Sequence, residues 1–144
     1  MSRVQLALNV SNLGEAIEFY SKLFGTEPAK VREGYANFAI ADPPLKLVLL
    51  ENAGAPGTMN HLGVEVESTE QVTTAISRLQ NNGLDTTVEE ETTCCFAVQD
   101  KVWVNAPDGE PWEVYTVLAD APTMKLIPVT ESSGVCCNTD SASC

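Results

Sequence analysis

The stretch Asn60-His61-Leu62-Gly63-Val64-Glu65-Val66, followed by Ser68 and Gln71, decides the fold because its pattern occurs twice. At the start of the chain Val4-Gln5-Leu6-Ala7-Leu8-Asn9-Val10 alternates, with Val4, Leu6, Leu8 and Val10 on one face and Gln5, Ala7 and Asn9 on the other. That is the period of a strand. Asn12 and Glu15 then form a helix start, and Leu13, Ala16, Ile17, Tyr20, Leu23 and Phe24 recur at helical spacing until Gly25. Behind the second strand, Ser68 and Gln71 repeat the cap, and Val72, Ala75, Ile76 and Leu79 repeat the apolar stripe up to Gly83. Gln5 to His61 and Asn12 to Ser68 are each 56 positions apart, and Gly25 to Gly83 is 58. Two unrelated caps at one offset mark a duplicated unit.

Working outward, Tyr35–Ile40 and Leu45–Leu50 read as strands around the turn Asp42-Pro43-Pro44, with a further short strand between Thr26 and Gly34. In the second copy, strands fall near Thr86–Glu91, Cys95–Asn105 and Trp112–Leu118, the last two joined by Pro107-Asp108-Gly109. The fold class is therefore α+β, two tandem βαβββ modules over residues 3–52 and 58–119 of a domain spanning 1–121, joined through Ala53–Gly57. From about Ala121 periodicity is lost and Ser and Thr accumulate, which predicts a mobile tail over 122–144 carrying Cys136, Cys137 and Cys144.

A formal charge of -12, with only eight Lys and Arg among 144 residues, excludes binding to nucleic acid or to an anionic membrane. The N-terminal segment lacks the uninterrupted apolar run of a signal peptide or membrane span, which predicts a cytoplasmic protein. In a reducing compartment five cysteines favour reactive or metal-binding roles over disulfides.

Each first strand turns its Leu/Val face to its own helix, so the opposite face lines the space between the modules. Gln5 and His61 occupy equivalent inward positions, and the residues two further on, Ala7 and Gly63, are small. In the last strand Glu113 is a carboxylate in an otherwise apolar run and needs a partner if it faces inward. Gln5, His61 and Glu113 thus form a candidate facial set suited to a divalent ion such as Fe(II) or Mn(II). The competing readings are a satisfied polar histidine, and a Glu113 paired with Lys46 or Lys101.

The adjacent Cys94 and Cys95 cannot staple distant segments, but they can present two soft thiolates to one soft electrophile. A regular strand would aim them at opposite faces, so they belong on a loop or at a bulge. With Cys95 inward, alternation carries Ala97, Gln99, Lys101 and Trp103 along the same face. Lys101 is then either a catalytic cation stabilising developing negative charge or a surface ion-pair partner. Phe96 and Tyr115 are candidates for the pocket wall or simply for the core.

With these residues in place, the chain resembles the vicinal oxygen chelate superfamily of glyoxalases, bleomycin-resistance proteins and extradiol dioxygenases, in which paired βαβββ modules form an open, cavity-lining mixed sheet. Asn60-His61-Leu62-Gly63 and Asp108-Gly109-Glu110-Pro111-Trp112-Glu113 look like its His and Glu segments. Within it, Tyr35–Phe38, Leu45–Asn52 and Thr92–Val104, including the Cys-Cys pair, are similar to the organoarsenical C–As lyases of the ArsI type and the cadmium-induced CadI proteins. The resemblance implies Fe(II)- and O2-dependent cleavage of trivalent organoarsenicals such as methylarsenite. It further implies a metal on Gln5, His61 and Glu113, and As(III) captured by Cys94 and Cys95. Cys136, Cys137 and Cys144 are left for accessory binding of soft ions, and the chain is a monomer or homodimer. The alternatives are a non-catalytic As(III)- or Cd(II)-binding protein, or another glyoxalase- or dioxygenase-type enzyme.

Overall fold

A computed structural model describes residues 2–123; Cys136, Cys137 and Cys144, and nearly all of the expected tail, lie outside the described residues. The elements run β1 (Arg3–Val10), α1 (Leu13–Phe24), β2 (Lys30–Arg32), β3 (Tyr35–Ile40), β4 (Leu45–Glu51), β5 (Met59–Glu65), α2 (Thr69–Asn81), β6 (Thr87–Cys94), β7 (Ala97–Asn105) and β8 (Pro111–Asp120). The order βαβββ therefore occurs twice.

Local chemistry sets the element ends. Asn12 Oδ1 accepts from the Glu15 N–H at 2.9 Å, and Ser68 Oγ accepts from the Gln71 N–H at 3.3 Å, each satisfying a donor that the first helical turn leaves open. Gly25, at φ 64, takes the left-handed conformation that closes α1, which a side chain would disfavour.

All eight strands belong to one sheet in the order β2-β3-β4-β1-β5-β8-β7-β6. β1 and β5 pair antiparallel at its centre, and each pairs in parallel with the last strand of its own module, β4 or β8. Each module thus contributes one half of the sheet, which curls into a half-barrel. The outer face carries the helices: Phe38, Leu47 and Leu49, at most 1% exposed, pack with Leu13, Leu6, Leu8 and Val10 beneath α1. Burying each such large side chain contributes about 1.5–3 kcal/mol.

The concave face is the unusual one. On β1 it is the polar-bearing set, Gln5 (3% exposed), Ala7 (0%) and Asn9 (6%), that is the more deeply buried. A polar residue on that face is therefore dehydrated and must find partners within the protein.

Two boundaries depart from expectation: β6 runs on to Cys94 instead of ending near Glu91, and the next strand starts later. β7 begins at Ala97, and Cys95 and Phe96 are the two central residues of a tight turn between Cys94 and Ala97, with φ of 54 and 61. Positive φ at both positions matches the twist of a two-residue hairpin. Such a turn usually selects Asn-Gly or similar residues, so Cys-Phe carries no turn signal in the sequence.

Candidate metal and substrate site

Gln5 on β1, His61 on β5 and Glu113 on β8 meet on the concave face where the modules join, and each is at most 3% exposed. Gln5 Nε2 lies 3.0 Å from His61 Nε2 and 2.8 Å from Glu113 Oε1, and His61 Nε2 is 3.3 Å from Glu113 Oε1. Donors bound about 2.1 Å from an octahedral ion and cis to one another stand about 3.0 Å apart, so these separations outline one triangular face of such a site. Among the described residues no three His, Cys, Asp or Glu side chains converge on a common point; here the third donor is an amide.

Hydrogen-bond accounting bears on which amide atom faces inward. Tyr115 Oη contacts Gln5 Oε1 and also lies 3.0 Å from Glu65 Oε2. A phenol has one proton and cannot donate to two acceptors. A half-turn of the Gln5 amide exchanges its oxygen and nitrogen, letting Tyr115 donate to Glu65 and accept from the Gln5 amine. The Gln5 oxygen then faces Glu113 Oε1 and the His61 lone pair, an all-acceptor triangle that a divalent cation satisfies. The residues therefore fit a divalent metal.

The imidazole is held in the tautomer this needs. Its Nδ1 lies 2.7 Å from Asn60 Oδ1, so the proton sits there and Nε2 keeps a lone pair toward Gln5 and Glu113. Asn60 Nδ2 in turn donates to Asn9 Oδ1 at 3.2 Å, and Asn9 Nδ2 donates to Thr58 Oγ1 at 2.9 Å, which fixes both amides. The Trp103 ring meets the imidazole edge-on at 5.5 Å.

Lys101 is not a surface residue. It is 0% exposed, and its Nζ donates to Glu113 Oε2 at 2.8 Å with the Trp103 and Tyr115 rings 5.2 and 5.8 Å away. Burial alone would push the Glu113 carboxyl up, but the Lys101 ammonium beside it outweighs burial and holds the group well below the usual carboxylate range. Tyr115 is driven well above its ordinary value by burial and by Glu65 and Glu113, so it stays a neutral phenol. Burial pulls Lys46 down, partly offset by its 2.9 Å contact with Glu65 Oε2. At Gly63 an added Cβ would lie 2.9 Å from Glu113 Cγ and 3.4 Å from Gln5 Nε2, so only glycine leaves room for both side chains.

The cysteine turn folds over the same face. Loop tips ordinarily lie in water, yet Cys94, Cys95 and Phe96 are 0, 8 and 9% exposed and pack with Ala7, Tyr35, Val48, Leu50 and Trp103. Phe96 meets Tyr35 with ring centroids 5.5 Å apart, and its carbonyl accepts from Lys30 Nζ at 3.0 Å and from the Ala121 N–H at 2.8 Å. The two sulfurs are 3.0 Å apart, and neither cysteine is a free thiol in the structure. A cavity of about 10 Å³, room for about one water-sized group, is lined by Gln5, His61, Glu113, Cys95, Gln99, Tyr35, Lys46 and Val48.

Of the residues picked out from the sequence, Gln5, His61, Glu113 and Cys95 thus share one cavity. Cys94 and Phe96 stand behind Cys95, Tyr115 stands behind Gln5, and Lys101 reaches the cavity through Glu113. Sequence reasoning did not single out Asn9, Asn60 or Glu65, whose roles are contacts between strands far apart in the chain. Gln99 was placed on the correct face by alternation, without a role.

A βαβββ pair with an amide, an imidazole and a carboxylate meeting at its junction defines a fold built by duplication around one polar cluster. The chain belongs to the Glyoxalase/Bleomycin resistance protein/Dioxygenase superfamily, whose family model matches residues 3–114. It is 69% identical over 123 residues to the cadmium-induced protein CadI of Mycobacterium tuberculosis, covering 85% of this chain and 81% of that protein. It is 60% identical over 144 residues to a trivalent organoarsenical cleaving enzyme of Thermomonospora curvata, covering 99% and 93%. In fold it is similar to a Mn(II)-bound glyoxalase from Novosphingobium aromaticivorans, at TM-score 0.58 and 17% identity over 88% of this chain and 44% of that one. No helix among the described residues is long and apolar enough to cross a membrane.

Proposed function

We propose that the protein is an Fe(II)- and O2-dependent enzyme that cleaves the carbon–arsenic bond of trivalent organoarsenicals such as methylarsenite. The observation that carries this reading is that Cys95, from a buried two-cysteine turn, lines the same cavity as Gln5, His61 and Glu113. The relatives named as organoarsenical cleaving enzymes support it.

Capture comes first and requires both cysteines reduced. Each thiol displaces one hydroxyl of CH3As(OH)2, forming an As–S bond and releasing water, so that two thiols yield a dithiolate and two waters. Trivalent arsenic is thiophilic, and the second bond forms at high effective concentration because the sulfurs start within contact distance. Tyr35, Val48 and Phe96 exclude water around the organic substituent. Gln5, His61 and Glu113 are the residues that would hold Fe(II), which when bound supplies the reactivity toward O2 that a closed-shell carbon–arsenic bond lacks. Lys101 keeps Glu113 ionised and holds its outer oxygen, leaving Oε1 directed inward. The overall change, CH3As(OH)2 + O2 → As(OH)3 + CH2O, balances without an added reductant: carbon gives up four electrons and O2 accepts them.

The test is to load reduced protein anaerobically with Fe(II) and methylarsenite and then admit O2. Release of arsenite that depends on both iron and O2 is the expected result, and release without either one would refute it. A second reading is capture of As(III) or Cd(II) without catalysis, and it takes its cue from the relatives named as cadmium-induced proteins. It predicts arsenical retention with no arsenite released.

A further inference from the structure

Gln99 is 4% exposed and lines the cavity with Cys95, His61 and Glu113. Its amide is anchored at one end only. Nε2 donates to the Cys94 carbonyl oxygen at 3.3 Å, whereas the buried Oε1 has no hydrogen-bond partner. Such an orphaned acceptor costs about 1–3 kcal/mol, and buried polar atoms in folded proteins are nearly always satisfied. The bond to Cys94 fixes which amide atom remains available, an acceptor, on a residue that lines space for about one water-sized group.

Unbroken strand alternation on β7 places Gln99 on the concave face with Lys101 and Trp103, all three buried, and its bond to the Cys94 carbonyl ties it to the cysteine turn.

We propose that Gln99 is a substrate-binding residue whose Oε1 accepts a hydrogen bond from a hydroxyl on the arsenic centre as it enters, so that the site selects hydroxylated trivalent arsenicals over bare soft cations. This rests on the organoarsenical reading above and adds a recognition element to it. When the first thiol attacks, the S–As bond forms, one As–O bond breaks, and the thiol proton leaves with the hydroxyl as water. Gln99 Oε1 accepts a hydrogen bond from that hydroxyl before the exchange and from the water after it. Cd(II), which carries no covalent hydroxyl, gains nothing from the acceptor.

The test uses reduced, iron-free, full-length protein carrying Cys136→Ser, Cys137→Ser and Cys144→Ser, titrated anaerobically by calorimetry with methylarsenite and separately with Cd(II). Gln99→Met keeps the side-chain length and removes the acceptor; Gln99→Leu is the second variant. The expected result is methylarsenite binding weakened about five- to tenfold in both, the scale of one neutral hydrogen bond, with Cd(II) binding unchanged and so reporting an intact cysteine turn. Unchanged methylarsenite binding would overturn the proposal, as would equal weakening for both ligands, which would assign Gln99 to packing. If the unsubstituted protein binds Cd(II) but no methylarsenite, the organoarsenical reading itself fails, and this inference with it.

Discussion

The two modules share a backbone plan and differ in what they bury. In the second, Glu113 pairs across from Gly63 on β5 and from Trp103 on β7, while Lys101 faces Tyr115. At the corresponding register of the first, Val48 pairs with Ala7 and Asn37, and Tyr35 faces Leu50. Glu113, Lys101 and Tyr115 thus stand where the first module has Val48, Tyr35 and Leu50. At these three positions the second module carries a charged, hydrogen-bonded set, and the first carries two aliphatic side chains and a tyrosine. Gln5 is the first module's contribution to the second module's His and Glu. Duplication gives a symmetric cup; the substitutions leave one polar cluster in it.

The sharpest way to break this contrast is to truncate the paired positions. Glu113→Ala should abolish arsenite release and cost about 3–5 kcal/mol of stability, because it leaves Lys101 buried without its partner. Val48→Ala, at the matching position, should cost about 1–3 kcal/mol and keep most activity. Urea unfolding and an arsenite assay on both variants check this, and equal activity loss would erase the distinction between the modules. Next in size, Cys95→Ser should weaken methylarsenite retention by about 100-fold or more, since one thiolate forfeits the chelate advantage. Fe(II) binding, measured anaerobically on the same variant, should be unchanged.

A smaller effect separates Gly63 from its counterpart Ala7. Gly63→Ala should weaken Fe(II) binding about tenfold and cost about 1–3 kcal/mol, because the new methyl meets Glu113 Cγ at 2.9 Å. Ala7→Gly should cost about 1 kcal/mol and leave the metal alone. The smallest effect is in acid. Glu113 is held below its ordinary 4.5, so its stabilising contribution is present above about pH 4.5 and is lost as pH falls below that value. Iron-free wild type should therefore lose stability between pH 5 and pH 3 more steeply than Glu113→Gln, as urea midpoints would report.

Much of this was legible in the chain. Strand alternation puts Gln5, His61 and Glu113 on one face, and two helix caps at one offset reveal the duplication. What was hidden depends on pairing between distant strands. Lys101 sits beside Glu113 only because β7 and β8 are neighbours, and the His61 tautomer is set by Asn60 and Asn9 across the β1–β5 seam. Alternation placed the cysteines on a loop or at a bulge, but the conformation of the Cys95-Phe96 turn was hidden for another reason: neither residue favours positive φ, so packing against Tyr35 and the Lys30 contact hold a conformation that local propensity does not announce.

The most direct measurement is an anaerobic Fe(II) binding titration of wild type, of the double variant Cys94→Ser/Cys95→Ser, and of Glu113→Ala. One ion per chain in the first two and none in the third is the outcome expected of a site built on Gln5, His61 and Glu113. Iron binding that survives in Glu113→Ala and disappears with the cysteines would contradict it.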